Sequence, residues 1–122
     1  RVPARHCRPC RAIARHFAAA FANDAFVFVQ SGFVDGHAYH LYILEVADRL
    51  GLYKHLRANG IYAQIHYIPC HLMPYYRNKK GGQKALPAAE TYYQQCISLP
   101  MYPTLTAEEQ EFVIQTVKAH YA

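Results

Sequence analysis

Long apolar runs are missing from this 122-residue chain: no stretch approaches the ~20 consecutive apolar residues that a membrane-spanning helix needs. An apolar signal core is missing too. Arg1, Val2, Pro3, Ala4 and Arg5 run on into basic and polar positions, so the cytoplasm is the expected compartment. No linker long enough to mark a second domain divides the chain, and no segment repeats, which leaves one domain over residues 1–122. The apolar fraction of 52% excludes disorder. A folded domain of this length buries roughly two thirds of the surface its unfolded chain exposes, enough for one core.

Acidic residues are scarce, 8 against 13 Lys and Arg, for a formal charge of +5. Arg1, Arg5, Arg8, Arg11 and Arg15 concentrate that excess at the start. Such a cluster suits a nucleic-acid footprint, but no nucleic-acid motif accompanies it and the eleven tyrosines form no stacking platform. A solvated basic face of one helix is the preferred reading. Cysteine is limited to Cys7, Cys10, Cys70 and Cys96. Cys7 and Cys10 have C-x-x-C spacing, yet no strand leads into them and no second ligand pair stands at zinc-site distance. Reduced thiols are expected, with no metal site. Lysine in a desolvating context is also lacking: Lys54, Lys79, Lys80, Lys84 and Lys118 sit where solvation is expected, so none is a Schiff-base candidate.

The residues present spell an α+β pattern. Ile13, Phe17 and Phe21 recur at helical spacing and predict a helix over about 8–22, the apolar stripe of a leading segment 1–22. Short strands are expected at 25–29 and 38–46, joined around the Asp35-Gly36 turn signal; apolar groups on both faces of the second make it central. Asp48 is placed as N-cap of a helix ended by Gly60, with Leu52, Tyr53 and Leu56 as its buried stripe. Alternation over 62–67 predicts a third strand with Ala63 and Ile65 on one face, Gln64 and His66 on the other. Residues 69–82 read as loop or short helix. A helix opened by Pro87 is expected to carry Ala89, Tyr92, Tyr93, Cys96 and Ile97 on one side. Thr106 and Glu109 frame a capping box for a last helix with Phe112, Val113, Val117 and Tyr121 facing the core. The expected architecture is a small antiparallel sheet of three to four strands with helices packed on one face.

Two clusters hold the candidate chemistry. His66-Tyr67-Ile68-Pro69-Cys70-His71, followed by Tyr75 and Tyr76, gathers groups suited to hydroxyls and phosphate oxygens. From the residues alone, His66 ending a strand without further role is the preferred reading. A Cys70/His71 nucleophile pair lacks a third orienting group. His37 and His40, three apart on an expected strand, point to opposite faces and share no metal.

Read in order, Tyr39-His40-Leu41-Tyr42, Leu56-Arg57-Ala58-Asn59-Gly60-Ile61, the His66–His71 run, Pro74-Tyr75-Tyr76, Leu86-Pro87-Ala88-Ala89-Glu90, Ser98-Leu99-Pro100-Met101-Tyr102-Pro103 and Leu105–Gln110 resemble the C-terminal part of DegT/StrS-type aminotransferases. The likeness is nearest to the branch that aminates a UDP-linked 4-keto-6-deoxy-N-acetylhexosamine. It covers the chain from about residue 10, and the leading helix is similar to the one joining large and small domains. The resemblance implies a small domain of the fold-type I pyridoxal-phosphate (PLP) enzymes. It implies that the PLP cofactor and the lysine that holds it belong to a large domain preceding the part that corresponds to residue 1. No catalytic or cofactor-binding residue is therefore expected here, and the chain alone is expected to be inactive. It implies His66, Tyr67 and His71 as substrate-binding residues, with at most millimolar affinity for a nucleotide sugar. Self-association is expected through the leading helix or an exposed sheet face, since a stripe normally covered by the large domain would lie bare. Two other readings are a stand-alone homo-oligomeric binding module and, on charge alone, a weak nucleic-acid binder.

Overall fold

The structure is a computed structural model that describes residues 4–29, 37–79 and 85–122. The described residues form, in order, α1 (Ala4–Phe21), β1 (Val27–Val29), β2 (Tyr42–Val46), α2 (Arg49–Ala58), α3 (Pro74–Arg77), α4 (Pro87–Gln95), β3 (Cys96–Leu99) and α5 (Ala107–Tyr121). A 3-10 turn at Cys70–Leu72 precedes α3. The sheet is antiparallel in the order β1-β2-β3, so β2 is central, as its two apolar faces require. The Asp35-Gly36 turn lies outside the described residues.

Register decides which side chains make the core. Tyr42 stands opposite Leu99 and Leu44 opposite Ile97, and all four are buried on the face that meets the helices. Val46 extends that face toward β1. The α1 stripe of Ile13, Ala14, Phe17 and Phe21 closes over it, with Phe17 stacked on Tyr42 at 5.0 Å between ring centroids. Burial also pushes the Tyr42 phenol well above its ordinary range. Leu52 and Leu56 of α2 and Val113, Ile114 and Val117 of α5 complete the layer. Gln110 of α5 reaches 2.7 Å to the carbonyl of Ile13 and ties the last helix to the first inside this core.

Local signals placed the helix ends. The Asp48 carboxylate accepts the Gly51 N–H at 3.0 Å, and Gly60 takes φ 76, the left-handed value that ends α2 cheaply with glycine. Thr106 and Glu109 form the reciprocal capping box of α5.

The structure corrects the reading in five places. The central strand begins at Tyr42, not at residue 38, because Tyr39 takes φ 47 and turns the chain out of the extended region. The helix begun at Pro87 stops at Gln95, and Cys96 and Ile97 pass into a strand whose four residues are all buried. Residues 62–67 form no strand but a single bridge, Gln64 to Ser98. Antiparallel extension would next need donors from residues 96 and 100. The Cys96 N–H already caps α4 on the Tyr92 carbonyl, and Pro100 has none to give. Phe112 is 53% exposed instead of facing the core, since the buried stripe of α5 runs through Gln110, Val113, Ile114 and Val117. Finally, the Ile13/Phe17/Phe21 stripe is not bare. It is buried by this chain's own sheet and last helix, and Phe26 stacks on Tyr121 at 4.2 Å.

Gln110→Ala should cost about 2 kcal/mol of unfolding free energy, because it removes a buried donor and leaves a void. Gln115→Ala, whose amide bonds only the exposed Glu111, should cost less than about 0.5 kcal/mol. Urea denaturation measures both; equal losses would show that the Gln110 bond to Ile13 contributes nothing.

Candidate functional site

The sheet face turned away from α1 carries Ile43 and Glu45 of β2 and, opposite them, Ser98 and Cys96 of β3. Here the bridged segment contributes its side chains. Ser98 and Gln64 exchange both backbone bonds, at 3.0 and 2.8 Å, which fixes residues 63–66 along the free edge of β3. Alternation then does what it would in a strand: Ala63 is buried, while His66 lies on the Ser98 side with Nδ1 2.9 Å from the Ser98 hydroxyl. The Cys96 thiol donates to the His66 carbonyl at 3.6 Å, and burial raises its pKa, so it stays protonated rather than nucleophilic. Arg49 donates to the Tyr93 carbonyl and lies over the Tyr93 ring at 5.0 Å, which braces the end of α4.

A cavity of about 290 Å³ opens at this point, lined by His40, Tyr62, Gln64, His66, Ser98 and Pro100 among others. His40 reaches it because the left-handed turn at Tyr39 interrupts the chain just before. That turn is held by the Tyr39 N–H donating to His37 Nδ1 at 3.0 Å and by Arg11 donating to the His37 carbonyl at 3.0 Å. Imidazole, amide and hydroxyl groups around one small cavity suit a polyhydroxylated or phosphorylated ligand.

The three residues expected to bind substrate separate. His66 lines the cavity. Tyr67 is 72% exposed and meets the His66 ring edge-on at 4.6 Å, outside the cavity wall. His71 is turned elsewhere: its Nε2 lies 2.9 Å from Glu90 of α4, whose carboxylate also accepts the Leu86 N–H at 3.2 Å. Those bonds, His71 first, hold the Glu90 carboxyl below its usual range. Ser98 and His40 were missed as site residues. Ser98 had one available signal, a lone hydroxyl in the otherwise apolar Cys96–Leu99 run; His40 was weighed only as a metal partner of His37, and its place at the cavity follows from the Tyr39 turn.

Among the described residues no three His, Cys, Asp or Glu side chains gather to hold a metal, and Cys10, Cys70 and Cys96 are free thiols; Cys7 lies outside the described side chains. Among the same residues no helix is long and apolar enough to cross a membrane.

Residues 8–118 match the family model of the DegT/DnrJ/EryC1/StrS aminotransferases. The spore coat polysaccharide biosynthesis protein SpsC of Bacillus subtilis is 34% identical over 90 residues, 67% of this chain and 23% of that protein. The dTDP-3-amino-3,4,6-trideoxy-alpha-D-glucose transaminase of Streptomyces venezuelae is 36% identical over 81 residues, 66% of this chain and 21% of its own length. Among solved structures, S. venezuelae DesV in complex with a ketimine intermediate superposes with a TM-score of 0.87 at 28% identity, over 94% of this chain and 32% of that one. The chain thus spans about a quarter of the length of the curated relatives it matches. With nearly its whole length matched in sequence pattern and in fold, this chain belongs to the DegT/DnrJ/EryC1/StrS aminotransferase family.

Proposed function

We propose that this chain is the C-terminal small domain of a PLP-dependent sugar aminotransferase and supplies one wall of its nucleotide-sugar site. The observation that carries the reading is His66, tied to Ser98 at a cavity whose other polar lining includes His40 and Gln64. Relatives named as sugar transaminases support it. The ordered motifs favour a UDP-linked 4-keto-6-deoxy-N-acetylhexosamine as substrate. His66, Gln64 and His40 would bind sugar hydroxyls and orient the ring, while Tyr67 would cover it from outside. In this reading His71 serves the site indirectly, fastening the 70–79 segment to α4 through Glu90.

The described residues do not fit PLP attachment by themselves. The cofactor, when bound, supplies an electron sink, and this needs a lysine in a desolvated setting. Lys118 pairs with Asp24 at 3.3 Å, Lys79 contacts the exposed Tyr75, and Lys54 is exposed. Lys80 and Lys84 lie outside the described residues. The chain alone should therefore form no internal aldimine. Adding PLP, recording the visible spectrum and reducing with borohydride checks this; one specific pyridoxyl-lysine found by mass spectrometry overturns it.

Binding is tested by NMR titration with UDP-N-acetylglucosamine. Millimolar affinity is expected, about −4 kcal/mol, because a half-site supplies few convergent contacts. Shifts should cluster around Gln64, His66 and Ser98 and weaken in His66→Ala. Shifts on the arginines of α1 instead, or indifference to His66→Ala, would sink the role given to that histidine.

The His71 clamp has its own signature. A carboxyl whose folded pKa is lowered contributes stability that is full above its ordinary value of about 4.3 and is lost as pH falls through the lowered one. The 70–79 segment should therefore stay docked at pH 5 and loosen only in stronger acid. In His71→Ala the Glu90 midpoint, followed by carboxyl ¹³C NMR, should rise toward the ordinary value. An unmoved midpoint removes the clamp.

A further inference from the structure

His66 meets its cavity through a ring whose two nitrogens are unequally engaged. Its Nδ1 lies 2.9 Å from the Ser98 hydroxyl, while nothing among the described residues bonds its Nε2. Which nitrogen carries the proton decides whether the histidine offers a ligand a donor or an acceptor. The surroundings of Ser98 constrain that choice.

Ser98 is 4% exposed, so its hydroxyl proton has little access to water. Its backbone N–H and carbonyl are both taken by Gln64, and among the described residues His66 is the sole partner of its hydroxyl. Ile43, opposite in the register, brings only apolar atoms, and Glu45 stands two residues further along, opposite Cys96. The Cys96 thiol directs its own proton to the carbonyls of His66 and Tyr93, at 3.6 and 3.7 Å. A buried hydroxyl donates to whatever acceptor it can reach, and here that is Nδ1. With the serine proton on that bond, the proton of the neutral imidazole sits on Nε2. A half-turn of the ring would put a carbon where Nδ1 stands and strand the serine proton. The Tyr67 ring, edge-on to the imidazole at 4.6 Å, abuts it from another side.

We infer that Ser98 is a positioning residue whose hydroxyl holds His66 as the Nε2–H tautomer, so that the histidine presents the cavity with a donor and selects an acceptor oxygen there. Among the described residues no carboxylate lines the cavity, so a ligand group that only donates, such as an ammonium, finds no charged partner in it. The tautomer is a property of the free chain. Its use toward a sugar oxygen rests on the nucleotide-sugar reading above, which it deepens by fixing the direction of one hydrogen bond.

The tautomer is read in the ¹⁵N-labelled free chain by long-range ¹H–¹⁵N correlation of the imidazoles at pH about 8, above the ordinary histidine value of about 6.5. His66 should show a bare Nδ1 and a protonated Nε2 with no averaging between them. In Ser98→Ala both resonances should move toward the averaged positions of a histidine in an unstructured peptide. Ser98→Thr, which keeps a hydroxyl on a side chain suited to a strand, should restore them. Affinity for UDP-N-acetylglucosamine should fall about five-fold in Ser98→Ala, the scale of one hydrogen bond, and recover in Ser98→Thr. A serine with a merely structural role would leave the tautomer untouched.

Should either variant fail to fold, the wild-type spectrum decides: a proton on Nδ1, or an averaged pair, overturns the inference. A Ser98→Ala spectrum unchanged from the wild type overturns it as well. A changed tautomer with unchanged affinity strikes out the selection of an acceptor oxygen. If the tautomer is as expected but UDP-N-acetylglucosamine leaves the His66 Nε2 unmoved, the proposed function loses its site while the Ser98 assignment stands.

Discussion

The fold and its candidate site hang on one residue, Ser98, which is bonded in three directions. Its backbone N–H and carbonyl are both given to Gln64. Because bonding direction alternates along a strand, its neighbours Ile97 and Leu99 are left to pair with β2 and to drop their side chains into the core opposite Leu44 and Tyr42. Its hydroxyl takes His66. A shift of β3 by one residue would turn Ile97 and Leu99 out of the core, so the hydrophobic effect fixes the register. The same register then sets where His66 stands. Core packing thus positions the site, and Leu99 belongs both to the core and to the cavity wall.

What could be read in the sequence was whatever is decided locally. The capping box at Thr106 and Glu109, the Asp48 cap and the left-handed Gly60 need only residues three or four apart, and their side-chain chemistry specifies the helix ends. The Ile13, Phe17 and Phe21 stripe was equally plain, though not what would cover it. β3 was hidden because Cys96 and Ile97 continue the helical spacing of Tyr92 and Tyr93 while also fitting a buried strand. Short apolar runs are ambiguous in this way, and pairing with β2 settled the matter from fifty residues away. The alternation at 62–67 gave the correct faces but not the ladder, which fails for want of donors at residues 96 and 100.

The site was legible in the same uneven measure. His66 could be placed opposite Ile65 by alternation alone. Its partners could not, since Ser98 and His40 come from separate segments brought together by the sheet. His40 depends in addition on a left-handed tyrosine, a conformation that side chains avoid and that no composition rule would assign to Tyr39. Family resemblance grouped His66, Tyr67 and His71 through the strand-end motif that it places near the substrate. The structure divides them, because the 3-10 turn at Cys70–Leu72 carries His71 round to Glu90.

That division bears on what such a domain can contribute to a reaction. On the proposed reading, the groups at the His66 cavity, imidazoles, an amide and a hydroxyl, recognise parts of the substrate that do not change during amino transfer. Contacts of this kind are equally strong in the ground state and the transition state, so by themselves they favour binding and do not speed a chemical step. They become productive only when they hold the reacting carbon against a fixed electron sink, where positioning removes much of the entropic barrier. On the proposed reading, the small domain therefore governs which sugar is accepted and how it lies. A change at His66 in the whole enzyme would then act on substrate orientation, lowering kcat together with affinity.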